Sequence, residues 1–158
     1  MAIKGGDPSI YLDMRERALQ FRVAGLKENA IHTVLMDWFV GKGTATVVAV
    51  ADGAASVYLS SGGGFIGGSE SNPALRETAI QAVQIAGREL PLFRPIDDAV
   101  LPAPKEVLFY LTTSAGIHVA KADEDRLTAG THQLADLGNT MQKIIMEYRT
   151  SHSKRPPP

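Results

Sequence analysis

The chain has 158 residues, 44% hydrophobic and 21% charged, with 16 basic side chains against 17 acidic ones and a formal net charge of −1. These values exclude collagen-like and disordered classes and provide no basic field for nucleic acid. No stretch reaches the roughly 20 apolar residues of a membrane helix. Cysteine is absent, which removes disulfides, thiol nucleophiles, cysteine-ligated zinc and iron–sulfur clusters. The start, Met1 to Asp7, carries no apolar signal run, so the expectation is a cytoplasmic protein with one domain over residues 1–149.

Asp7-Pro8-Ser9 has the chemistry of a helix start, with Asp7 able to accept from free amides and proline suited to the first helical position. Ile10, Met14, Ala18 and Phe21 recur at helical spacing, with Tyr11 and Leu19 broadening the stripe, and Gly25 is a natural stop. The pattern predicts a helix over 8–24 with Ile10, Met14, Ala18 and Phe21 as its main apolar side. Residues 31–38 and 44–51 then read as strands, the second apolar on both faces as a central strand should be. Asp52-Gly53 signals a turn into the alternating Ser56–Ser60, which completes a three-stranded antiparallel meander.

The glycine-rich residues 61–68 end that meander. Asn72-Pro73 opens a second helix whose stripe is Leu75, Ala79, Ala82, Val83, Ala86 and Leu90. Four prolines between residues 91 and 104 predict an irregular surface connection. Residues 106–112 and 117–121 form a second hairpin around Ser114-Ala115-Gly116, and Asp123-Glu124-Asp125 makes an acidic turn. Thr131 is placed to cap a last helix with the stripe Leu134, Leu137, Met141, Ile144, Ile145 and Tyr148, and residues 150–158 read as a disordered tail.

The predicted order, α-βββ-α-ββ-α, describes an α+β domain: an antiparallel five-stranded sheet with helices packed on it. Over residues 8–149 this outline resembles the profilin-like group, which includes roadblock, longin, PAS and GAF domains. Three strands precede the middle helix here, whereas roadblock and longin domains have two, and no functional residue is carried over.

The sharpest chemical feature is Ser61-Gly62-Gly63-Gly64, followed after Phe65-Ile66 by Gly67-Gly68, leading from a strand towards a helix. Glycine lets backbone amides converge on an anion, and helix N-termini favour negative charge. Neither a P-loop nor a dinucleotide fingerprint is present, and the alternative is a structural role as a bulge, crossover or flap. Asp37-Trp38, close in sequence to Lys42, could line a pocket, the alternative being Trp38 in the core and Asp37 at a turn. His32, His118, His132 and His152 show no i, i+4 pairing and no HExxH. Asp97-Asp98 and Asp123 to Asp125 do not match a calcium loop.

No nucleophile, base and orienter stand at recognisable spacing, and the sequence implies no catalytic residue, cofactor or metal. It points to a non-enzymatic binding or protein-interaction module. That module is expected to be a homodimer associating through Tyr11, Leu12 and Leu19 of the first helix or through an edge strand. It is expected to bind neither membrane nor nucleic acid. The alternative is a small-ligand or phosphometabolite-binding protein, possibly an enzyme, using the glycine-rich loop with Asp37, Trp38 and Lys42.

Overall fold

A computed structural model describes residues 2, 3 and 8–153. The Asp7 cap and the tail beyond residue 153 lie outside the described residues. Strands β2 (Thr33–Val40), β3 (Gly43–Val50) and β4 (Ala55–Leu59) form the predicted antiparallel meander. Strands β7 (Glu106–Thr113) and β8 (Gly116–Asp123) form the predicted second hairpin. β2 pairs with β7 and joins the two halves into one antiparallel sheet.

The sheet is wider than the five strands expected. Its order is β1-β5-β4-β3-β2-β7-β8-β6: seven strands of three residues or more, with the two-residue β1 (Ala2–Ile3) at one edge. β5 (Gly64–Ile66) forms inside the glycine-rich stretch, and β6 (Arg94–Ile96) forms inside the proline-rich connection. Both additions have a steric reason. A Cβ on Gly64 would sit 2.1 Å from the Val57 carbonyl oxygen, so only glycine lets the chain approach β4 this closely. Pro95 is tolerated because β6 is an edge strand, where one side of the strand needs no donor.

Between β5 and β6 the chain crosses from one side of the sheet to the other through α2 (Pro73–Glu89). Asn72 caps this helix, its Oδ1 accepting from Leu75 N at 3.2 Å, and Pro73 follows at the first helical position. Ala79, Ala82 and Ala86 are fully buried, and their small side chains let α2 lie close to the sheet and to α4 (Ala135–Ser153). Leu137, Met141 and Ile144 of α4 fill the same core against Val34, Met36, Val47 and Phe109 of the sheet.

The acidic residues 123–125 begin a short helix, α3 (Glu124–Ala129), instead of a plain turn. The Asp123 carboxylate accepts from Arg126 N at 3.2 Å and caps it. Thr131 does not cap α4, which starts at Ala135. Its hydroxyl donates to the Arg126 carbonyl at the end of α3 instead. At the other end, α4 runs through residues 150–153 rather than stopping at 149, and His152 packs on the Phe65 ring with centroids 4.6 Å apart.

The opposite face of the sheet carries α1 (Pro8–Gln20). Its core consists of Leu35, Val48, Tyr58, Leu108 and Tyr110 from the strands, with Tyr11 and Leu19 from the helix. Alternation along β2 sorts its side chains, sending Val34 and Met36 to the α2/α4 side and Leu35 to the α1 side. The result is three layers with the sheet in the middle.

Because Leu137 is fully buried in the larger core, Leu137→Ala should destabilise the protein by about 2–5 kcal/mol. Urea denaturation followed by circular dichroism checks this. A loss below about 1 kcal/mol, the range of a surface change, would place α4 outside the core.

Candidate functional site

The α1 side of the sheet is organised by a buried ion pair that the sequence pattern did not reveal. Arg15 is 5% exposed and Asp37 is 0% exposed. Arg15 Nε and Nη2 both donate to Asp37 Oδ2, at 2.9 and 2.7 Å. The second carboxylate oxygen, Oδ1, accepts from the Thr46 hydroxyl at 2.6 Å. The Thr46 hydroxyl uses its one hydrogen in the bond to Asp37, so the Tyr11 hydroxyl, 2.6 Å away, is the donor to Thr46 Oγ1.

The rest of the guanidinium reaches the loop before β7. Nη2 donates to the Val100 carbonyl at 3.0 Å and Nη1 to the Ala99 carbonyl at 3.4 Å. The Tyr110 hydroxyl also donates to the Val100 carbonyl, and the Arg15 guanidinium lies 5.4 Å from the Tyr110 ring centroid. Burial pushes the Asp37 carboxyl up, against the pull of Arg15 and Thr46. The guanidinium does not lose its proton, so the carboxylate is the partner that keeps this cation from standing alone in the interior. Burial, then the charge of Asp37, push Tyr11 up to about 12, so its hydroxyl remains a donor at neutral pH.

This network rotates α1 away from the predicted orientation. Of Tyr11, Leu12 and Leu19, expected beyond the main stripe as association residues, Leu12 is 49% exposed but Tyr11 and Leu19 are 5% and 0% exposed. Ile10 and Phe21, expected in the main apolar stripe, are 50% and 48% exposed. The reason is that Arg15 belongs to the buried side: turning Tyr11, Arg15 and Leu19 inward carries Ile10, Met14 and Phe21 to the flank.

That flank borders a groove of about 340 Å³ between α1 and strands β3, β4 and β5. Met14 and Ala18 of α1, with Phe21 just beyond its end, form one wall, and Val48, Val50 and Ile66 line the sheet side. The polar groups in the groove are few. Ser56 donates to the Tyr58 hydroxyl at 2.8 Å, and Arg17 stands in the wall on α1, ion-paired with Asp13 at 2.9 Å. A concave apolar slot with sparse polar groups is the general form of a binding site, and this volume lies at the small end of the usual range.

A second hollow of about 750 Å³ lies beside β6, β7 and β8, with Arg94, Asp97, Asp98 and Lys121 in its lining. Its charges are of both signs, and Lys121 already faces Glu106 at 3.8 Å.

The residues singled out in the sequence are dispersed rather than gathered. Asp37 lies under α1 as part of the ion pair. Trp38, the next residue of β2, packs with the opposite core and donates through Nε1 to Glu124 at 2.6 Å. Lys42 is exposed in the β2–β3 turn. Ser61, Gly62 and Gly63 form the β4–β5 turn, where Gly62 N donates to the Leu59 carbonyl at 2.9 Å. Ser60 N donates to the Thr44 carbonyl, which brings this turn to the same end of the sheet as Lys42. Gly64 is in β5, and Gly67 and Gly68 turn the chain towards α2 with φ of 68° and 87°. Gly67 N donates to the Ala55 carbonyl at 3.1 Å, and the Tyr148 hydroxyl lies 2.6 Å from that same oxygen and 2.7 Å from the Gly67 carbonyl. Ile66 and Gly67 line the α1 groove.

The histidines occupy separate places. His32 Nδ1 accepts from Val23 N at 2.9 Å, and burial lowers its pKa, which favours the neutral ring. His132 Nδ1 accepts from Leu134 N at 3.0 Å, and His118 lies 3.2 Å from the Thr113 hydroxyl. Among the described residues, no group of three or more His, Asp and Glu side chains is placed to hold a metal ion, and no helix is long and apolar enough to cross a membrane.

The signal that could have found Arg15 is Asp37 itself. A carboxylate inside the strand Val34-Leu35-Met36-Asp37-Trp38-Phe39 must be buried with a cationic partner if the strand is central. Comparison with protein-family models, with curated proteins and with solved structures finds no match.

Removing one member of the pair strands the other, so Asp37→Ala should cost about 3–5 kcal/mol, whereas Arg15→Met combined with Asp37→Leu should recover most of that loss. Chemical denaturation of the three proteins checks the pair, and equal losses in the single and double variants would contradict it. In the glycine stretch, Gly64→Ala meets the Val57 carbonyl, whereas Gly67→Ala has open space and only a left-handed backbone to strain. The second change should cost about 1–2 kcal/mol and the first clearly more. Melting temperatures of the two variants decide, and a ranking in the opposite order refutes the close β4–β5 approach.

Proposed function

We propose that the chain is a non-enzymatic binding module of the cytoplasm, profilin-like in outline, that takes the apolar face of a protein partner into the groove between α1 and strands β3–β5. The observation that carries this reading is the groove itself: a concave apolar surface beside an exposed Ile10 and Phe21. Exposed apolar surface of this kind on a folded domain marks an interaction site. The saturation of the buried ion pair supports the non-enzymatic part. Asp37 accepts three hydrogen bonds over its two oxygens and is fully buried, so it does not face a cleft from which to act as a base. The groove is preferred to the glycine-rich loop because the Gly62 and Gly67 amides already donate to chain carbonyls. The profilin-like outline stands beside this reading without carrying it, because function belongs to sites rather than folds.

An apolar fluorescent dye tests the reading at submicromolar protein, a dilution at which micromolar self-association is absent. The wild-type protein should enhance the dye, and Ala54→Phe, which fills the groove from the β3–β4 turn, should weaken dye binding about tenfold or more with its fold intact by circular dichroism. No enhancement by the wild type, or equal binding by both proteins, would refute the groove as the site.

A further inference from the structure

We infer that the partner seated on the α1 groove is α1 of a second copy of this chain, packed antiparallel about a two-fold axis; this rests on reading the groove as the binding site. Ile10, Met14 and Arg17 of α1, with Phe21 directly after its last residue, Gln20, stand four, three and four residues apart. Steps of three and four place side chains in one row along a helix, which is the spacing of a helix–helix seam. The sequence of steps is also the same in both directions. When a second α1 runs the opposite way, Ile10 of each copy faces Phe21 of the other, and Met14 faces the aliphatic stem of Arg17.

A two-fold interface needs this property, because one patch must complement itself. The row has a ridge, the exposed Ile10 and Phe21, and it borders a hollow, the groove that Met14 and Phe21 help to line. Aromatic side chains entering apolar hollows are the usual anchors of such contacts.

The charges on the row and beside it match as well. Asp13 and Arg17 are exposed and hold each other within one helix, a contact of small worth in water that exchanges readily. In the antiparallel pair Asp13 of one copy lies level with Ala18 of the other, next to its Arg17, so each carboxylate meets a second cation and no like charges are opposed. Among the described residues, the edge strands do not offer an equivalent route. β1 has two residues, and β6 has three with Pro95 in the middle, so neither presents a long row of free donors and acceptors.

Sedimentation equilibrium of the full chain tests the pairing through charge reversal. Wild type should weigh twice 16.9 kDa at about 100 µM. Asp13→Arg and Arg17→Asp should each weaken association by about tenfold or more, because each opposes like charges across the axis. An equimolar mixture of the two variants should recover the dimer, since the first then presents two cations on this row and the second two carboxylates. Phe21→Ser, which changes no charge, should also yield a monomer with native circular dichroism. In the wild type, dye bound per chain should fall as concentration rises through the association range.

A wild-type monomer that still binds dye in the groove overturns the pairing and leaves the groove as a binding site. A wild-type monomer that binds no dye overturns both. A dimer indifferent to both charge variants and to Phe21→Ser, or variants whose mixture stays monomeric, places the contact elsewhere.

Discussion

The Arg15–Asp37 ion pair is the constraint on which the α1 side of the molecule depends. A charged pair taken out of water gains little net stability, since desolvation offsets most of the attraction. Its effect is positional. Either charge left alone in the interior would cost several kcal/mol, so α1 can sit only where the guanidinium meets the carboxylate on β2. The same guanidinium holds the carbonyls of Ala99 and Val100, which anchors the loop before β7 over the sheet. Helix, central strand and loop are thereby fixed to one another by a single side chain, and every donor and acceptor in the network from Tyr11 through Thr46 to Asp37 has a partner.

The orientation of α1 decides what the surface offers. A helix seated by its apolar stripe alone would bury Ile10 and Phe21 and close over strands β3 to β5. Seated by Arg15, it buries Tyr11 and Leu19 instead and leaves its other apolar flank beside an open groove. The exposed hydrophobic surface is thus a consequence of where a charge had to go.

The glycine-rich stretch plays the corresponding part at the sheet edge. Gly64 brings β5 against β4 at a distance no side chain permits, and Gly67 and Gly68 turn the chain through left-handed conformations into α2. Phe65 stacks on Tyr148 with ring centroids 5.0 Å apart, and Tyr148 holds the carbonyls of Ala55 and Gly67. The last helix therefore clamps this stretch from the α2/α4 side, while Ile66 faces the groove on the other. The segment that reads in sequence as a possible anion loop forms strand β5 and the turn from the sheet into the crossover helix.

The sequence by itself determined the α+β class, the meander of residues 31–60, the hairpin of residues 106–112 and 117–121 to within a residue or two, and the stripes of α2 and α4. Each of those rests on local periodicity or on turn and cap chemistry, such as Asn72-Pro73, which acts within a few residues. What only the tertiary structure decided depends on partners far apart in the chain. β5 and β6 are three-residue strands whose identity comes from the neighbours they pair with, not from their own glycine- and proline-rich composition. Arg15 and Asp37 are 22 residues apart, and nothing in the spacing of apolar residues on α1 records that a charged residue belongs on the inward side. Periodicity ranks side chains by their cost of exposure to water, and a buried cation inverts that ranking only when its counter-charge, contributed by a different element, is already in place.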